Sequence, residues 1–181
     1  MYFRAILFRR VRVIRSFRVT TLPPPVRVKG LHHIALSVPS IDQAIDFYSG
    51  AFGFDVVDHE HLPSSEEGDR VTQLDGVECT VAMLHAGNLF IELFEFHGPS
   101  PRQIERRLCD FGMTHLSFEV EDVHDAFAKL QAHGVEWHCL PIDAGDGYLM
   151  TYGRDPFGNV IEIQQVPEPR PYAFARLSSN P

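Results

Sequence analysis

Two histidines and two glutamates stand at corresponding places in a repeated pattern. The stretches "GLHHIALSVPSIDQAI", from Gly30, and "GMTHLSFEVEDVHDAF", from Gly112, align with His33 on His115. The stretches "LFIELFEF", from Leu89, and "NVIEIQQV", from Asn159, align with Glu92 on Glu162. A carboxylate between apolar neighbours on a strand is costly unless something pairs with it. Two imidazoles and two carboxylates at matching positions of a duplicated unit point to one shared partner, a divalent metal. Zn, Ni, Co, Mn and Fe(II) all accept such a donor set, so the residues leave the ion open. His59, His61, His85, His97, His124, His133 and His138 are read as ordinary packed or exposed side chains. His32 neighbours His33 in an alternating strand and is expected on the opposite face.

The elements that must position these residues follow from the apolar spacing. Ile34, Leu36 and Val38 alternate with Ala35 and Ser37, and Leu116, Phe118 and Val120 alternate with Ser117 and Glu119. Each run is a strand with one apolar face and one face carrying the histidine. Each leads into a helix. The first is "SIDQAIDFYSGAFG", capped by Ser40 and closed by Gly53; the second is "EDVHDAFAKLQAHG", closed by Gly134. Three further strands are expected in each half, at about 54–61, 77–85 and 89–96, then at about 135–139, 148–153 and 159–166. The fold class is therefore α+β, with the order βαβββ written twice. The first module spans 30–98, a helical linker spans 99–111, and the second module spans 112–166.

Composition narrows the function. The chain has 181 residues and a formal net charge of -8. Residues 1–29 hold eight Lys or Arg and no acid, which leaves 8 basic and 24 acidic groups for the rest. That acidic body excludes nucleic acid as a partner, because phosphate binding needs clustered cations. No apolar run reaches the ~20 residues of a membrane span, so no membrane partner is expected and the protein is read as cytoplasmic. Residues 1–29 end in Pro23-Pro24-Pro25 and are expected as a disordered basic extension, and 167–181 as an extended tail. Cys79, Cys109 and Cys139 are scattered and are expected as reduced, mostly buried thiols.

The motifs "HIALSV" before an "FY" helix, "FIELFEF", "THLSFEV" and above all "GRDPFGNVIEI" resemble the vicinal-oxygen-chelate superfamily over residues 30–166. That superfamily includes glyoxalase I, methylmalonyl-CoA epimerase, drug-resistance proteins and extradiol dioxygenases. The resemblance implies two βαβββ modules forming a cupped half-barrel sheet around one metal ion, held by His33, Glu92, His115 and Glu162. Retention of both glutamates resembles the glyoxalase I and methylmalonyl-CoA epimerase type. It implies a lyase or isomerase in which a carboxylate, Glu162 first and Glu92 second, moves a proton next to a metal-stabilised carbonyl. The alternatives are an extradiol-type Fe(II) dioxygenase and a binding protein without chemistry. A small-molecule substrate and a homodimer are expected, with the pairing of modules within or between chains left open. Asp75 stands near the place of a second epimerase base but not in it. Arg70 and Arg154 are the basic groups expected near the cleft edges. The loop Asp143–Tyr148 is either a mobile rim or an ordinary hairpin.

Overall fold

The computed structural model describes residues 24–168 and 170–179, so the expected disorder of 1–29 falls largely outside the described residues. Two units are distinguished, Met1–Leu31 and His32–Pro181. In the first, residues 24–31 form neither helix nor strand.

The second unit carries both modules. The first runs β1 (His33–Ser37), α1 (Ile41–Phe52), β2 (Asp55–Leu62), α2 (Glu66–Thr72), β3 (Glu78–His85) and β4 (Phe90–Gly98). The second runs β5 (Leu116–Glu119), α3 (Val123–Ala132), β6 (Glu136–Trp137), β7 (Ile142–Asp143), β8 (Leu149–Arg154) and β9 (Val160–Gln165). A 3-10 turn, Phe174–Ser179, follows. The strand orders are β1-β4-β3-β2 and β5-β9-β8-β6, with β7 paired to β8. In each sheet the first strand lies parallel to the last, and the remaining neighbours are antiparallel. This is the expected α+β duplication, and neither sheet closes into a barrel.

The two main helices form where their caps predict. Ser40 accepts a hydrogen bond from Gln43 N, and Gly53 ends α1 with φ 71°, a left-handed value that costs glycine little. Asp122 accepts from His124 N and Asp125 N at the start of α3, and these bonds hold its carboxyl below the usual range. The short α2 has no counterpart in the apolar pattern, because it buries no residue. It is held instead by Ser65 at its start and by Asp69, whose carboxylate accepts from Gly76 N and Val77 N at 2.8 Å each.

The helical linker does not form: 99–107 carries no helix and only a turn follows. The apolar side chains that would define its buried stripe find no partner surface, with Ile104 67% and Phe111 fully exposed. A helix of about ten residues without packing is marginal in water.

One core joins the modules. It takes Leu36, Ile91 and Leu93 from the first sheet, Leu116, Ile161 and Ile163 from the second, and the apolar faces of α1 and α3. Phe52 of α1 meets Phe118 of β5 with ring centroids 4.5 Å apart. Deeper in, Tyr48 donates to Asp155 at 2.6 Å. Asp155 also accepts from Phe157 N, Asn159 N and Asn159 Nδ2. The "FY" helix and the "DPFGN" turn are thus the two ends of one buried contact between modules. Burial and the Asp155 charge push the Tyr48 phenol well up, so it stays a donor.

Close packing also sets β8. A Cβ on Gly153 would stand 2.6 Å from Trp137 Cε3 and 2.9 Å from Glu136 O. The indole cannot easily yield, since it stacks on Phe127 and donates to Phe127 O at 3.1 Å. Gly153→Ala is expected to cost about 1–3 kcal/mol, measured as a lowered urea midpoint with an unchanged m value.

Candidate functional site

Strand alternation decides where the four sequence-selected residues go. Ile34 and Leu36 face the core, so His33, Ala35 and Ser37 occupy the other face of β1. Ile91 and Leu93 face the core, so Phe90, Glu92, Phe94 and Phe96 share that same outer face. In the second module Leu116, Ile161 and Ile163 face the core. His115, Ser117 and Glu119 then share the outer face with Val160, Glu162 and Gln164.

The register is duplicated as well as the sequence. Glu92 pairs with Ala35, two residues past His33. Glu162 pairs with Ser117, two residues past His115. The result is the same contact twice. His33 Nε2 lies 3.3 Å from Glu92 Oε2, and His115 Nε2 lies 3.2 Å from Glu162 Oε2. The first pair is the more open, with side-chain exposures of 42% and 20% against 26% and 6% in the second.

Each imidazole is oriented through its other nitrogen. His115 Nδ1 lies 2.8 Å from Thr114 Oγ1. His33 Nδ1 lies 2.9 Å from His32 Nδ1. His32 is therefore not turned to the opposite face as alternation suggested. It precedes the strand, so the pleat does not constrain it, and its ring lies 5.2 Å from that of Phe90. Two ligands of one divalent ion, each about 2.0–2.2 Å from it, stand roughly 3.0–3.4 Å apart at tetrahedral or octahedral angles. Each His–Glu pair fits as half of such a shell, with its second nitrogen anchored as metal-binding histidines require.

The chain does not bring the two halves together. Among the described residues no three His, Cys, Asp or Glu side chains converge as a metal cluster. Each pair lies on the sheet face turned away from the core that the modules share.

The outer face of the second sheet holds groups that spacing alone did not single out. Tyr152 lies directly across from Glu162 in the β8–β9 ladder, and its ring meets His115 edge-on at 5.1 Å. Tyr148 Oη lies 2.7 Å from Gln164 Oε1 and 3.4 Å from Glu162 Oε1. Burial, then the Glu162 charge, pushes the Tyr148 phenol up to about 12 and raises Tyr152. Both remain proton donors at neutral pH. The signal was present as the alternation Tyr148, Met150, Tyr152 beside a glycine-rich loop, but nothing in it named Glu162 as the partner.

Other expectations resolve more simply. Arg154 donates to Gly158 O and Arg106 O, so its guanidinium is occupied by backbone. Arg70 and Asp75 are exposed, on α2 and just after it. The cysteines are free as expected, but only Cys79 is buried, while Cys109 and Cys139 are exposed. Cys109 sits in the linker that never packs, which is why burial was misjudged there. Burial, then the Glu92 charge, raises the Cys79 thiol and keeps it protonated. His85 packs against Phe90, and His61 and His97 pair with Glu78 and Glu95. Among the described residues no helix is long and apolar enough to cross a membrane.

Comparison with known proteins identifies the fold and the family. A family model described as the Glyoxalase/Bleomycin resistance protein/Dioxygenase superfamily matches residues 30–163. The chain is 32% identical over 152 residues to a 2-epi-5-epi-valiolone epimerase from Actinomyces sp, covering 78% of this chain and 82% of that protein. It is 32% identical over 108 residues to a mitochondrial methylmalonyl-CoA epimerase from Dictyostelium discoideum, covering 58% of this chain and 57% of that protein. The crystal structure of a glyoxalase family protein from Bacillus cereus superposes with a TM-score of 0.71 at 23% identity, covering 80% of this chain and 98% of that one. On its duplicated sheets, its repeated His–Glu contact and these matches, the chain belongs to the Glyoxalase/Bleomycin resistance protein/Dioxygenase superfamily.

Proposed function

We propose that the protein is a metal-dependent isomerase or lyase that moves a proton on the carbon beside a carbonyl of a small organic substrate. The reading rests on one observation: the same His–Glu contact, in the same register, occurs once in each module. His33 and Glu92 of one copy, with His115 and Glu162 of a second copy, would complete a four-ligand shell, making the protein a homodimer. The open outer face of the first sheet supports this. Ala35 and Ser37 are exposed there, beside the half-buried Phe94 and Phe96, whose rings stack at 5.5 Å. Such a face gains stability when a second sheet covers it.

A divalent ion held by these residues would polarise the substrate carbonyl and favour negative charge on its oxygen. The protein's own part is the proton. Glu162 is the more enclosed of the two carboxylates and is the first choice of base; Glu92 is the second. Tyr148 and Tyr152 supply neutral donors beside it.

Within this class we favour isomerisation. One relative matched over most of both chains is named as an epimerase.

Complementation tests the assembly. One variant carries His33→Ala with Glu92→Ala, and the other carries His115→Ala with Glu162→Ala. Each alone should lose metal. Unfolded together and refolded, they should regain about a quarter of the wild-type cobalt by statistical mixing of a twofold dimer, because one of the two sites in each mixed pair is intact. Pairing within a chain predicts no recovery. His85→Ala and His138→Ala should leave cobalt content unchanged. Full metal retention in both double variants would sink the reading, and oxygen uptake with catechols would replace it by the dioxygenase.

A further inference from the structure

Glu162 is held at both oxygens, and the second contact leads to the C-terminal segment. Its Oε2 faces His115, while its Oε1 stands 3.4 Å from Tyr148 Oη. The phenol has one proton and two acceptors. The shorter bond, 2.7 Å, goes to Gln164 Oε1. Turning the hydroxyl about its C–O bond redirects the Tyr148 O–H from Gln164 Oε1 to Glu162 Oε1 without moving the ring.

Tyr148 ends a hairpin loop closed by Ala144 N on Tyr148 O at 2.8 Å, Tyr148 N on Gly145 O at 3.1 Å and Gly145 N on Asp143 Oδ1 at 2.7 Å. Gly145, Asp146 and Gly147 all have left-handed φ, at 113°, 56° and 76°. The Tyr148 side chain and the loop's outer edge are braced from outside by Arg170 and Tyr172. Arg170 Nη2 donates to Gly145 O at 2.7 Å and lies 3.6 Å from Asp146 Oδ2. Its guanidinium sits 5.7 Å from the centre of the Tyr148 ring. Arg170 Nη1 donates to Tyr172 Oη at 3.3 Å, and the Tyr172 ring meets Tyr148 edge-on at 6.4 Å. The segment is itself tied to the sheet. Phe174 N donates to the Glu119 carboxylate at 3.0 and 3.1 Å, and Ala173 is 1% exposed. Glu119 lies on the same outer face as His115.

We propose that Tyr148 is a positioning residue for Glu162, and that the C-terminal segment, through Arg170 and Tyr172, braces the Tyr148 ring in place. The proposal rests on the reading of Glu162 as a metal ligand and base. The tail is then a wall of the site and not an appendage. An anchored neighbour of a ligating carboxylate changes metal affinity about 10- to 100-fold when removed.

The test uses the full chain and Co(II). Affinity is measured by competition with a chromogenic chelator, and the visible cobalt absorption reports ligand geometry. Tyr148→Phe keeps the ring packing, so it should fold with a near-wild-type thermal midpoint. It should bind cobalt about 10-fold more weakly, with a shifted band. Arg170→Ala should produce the same shift and add little to Tyr148→Phe. In a Glu162→Ala background, Tyr148→Phe should have no further effect, because the group it acts through is gone. If Glu162→Ala weakens cobalt binding while Tyr148→Phe changes neither affinity nor band, the positioning role is wrong and the metal reading stands. An equal Tyr148→Phe loss with and without Glu162 also rejects it. If Glu162→Ala itself leaves cobalt binding unchanged, the metal reading fails and the proposal falls with it.

Discussion

Glu162→Gln should retain metal and lose turnover by about 10²–10⁴-fold, the usual contribution of a positioned acid or base. Glutamine has nearly the volume of glutamate, and the site offers little room for anything else, since Glu162 is 5% exposed. Its amide oxygen can still face His115 or a cation. What it lacks is a site that accepts and returns a proton at neutral pH. Glu92→Gln should be milder, because that side chain is more open and stands second as base. The check is incorporation of solvent deuterium beside the carbonyl of substrates found by screening, with cobalt content measured on the same samples. Equal loss of metal and turnover in Glu162→Gln would make Glu162 a ligand only. Unchanged turnover would remove it from the chemistry.

Asp155→Ala is expected to be the most destabilising single substitution among the residues discussed. Asp155 is 4% exposed and accepts from Tyr48 Oη, Phe157 N, Asn159 N and Asn159 Nδ2. Alanine strands these donors in or near a core that water does not reach. An unsatisfied buried donor costs about 1–3 kcal/mol. A loss of roughly 3–5 kcal/mol is expected for the whole cluster, at the level of a broken buried charge network. Tyr48→Phe removes one donor and leaves Asp155 its other three partners, so about 1–2 kcal/mol is expected. Urea unfolding at neutral pH distinguishes them. Near-equal losses would show that the Tyr48 bond alone carries the contact. Because this bond joins the two modules, Asp155→Ala should also separate their unfolding, which fluorescence of Trp137 in the second module would report ahead of circular dichroism.

The duplicated βαβββ order, the caps at Ser40 and Gly53, and the matching places of the two histidines and the two glutamates were legible from spacing. These are local properties. A strand puts alternate residues on alternate faces whatever it packs against, and a helix with Ile41, Ala44 and Tyr48 in register must bury that stripe. One alignment of the sequence on itself was enough to find the four residues, while their two His–Glu contacts follow from a strand register repeated in both sheets. The linker was misread because "RQIERRL" has helical composition, and composition does not say whether a surface exists to receive Ile104 and Leu108.

How the modules face each other was decided only in three dimensions. Nothing in the strand pattern says whether the apolar faces of the two sheets share a core or the two His–Glu faces share a cleft, since either packing buries one face of each. The choice is made by a few long-range contacts, Tyr48 on Asp155 and Phe52 on Phe118, whose partners lie far apart in sequence. The same is true of the path from Arg170 through Tyr148 to Glu162, which passes over three separate segments. Periodicity assigns a residue to a face. Only packing decides what that face meets, because the free energy that selects a partner surface comes from apolar area and hydrogen bonds contributed by both sides at once.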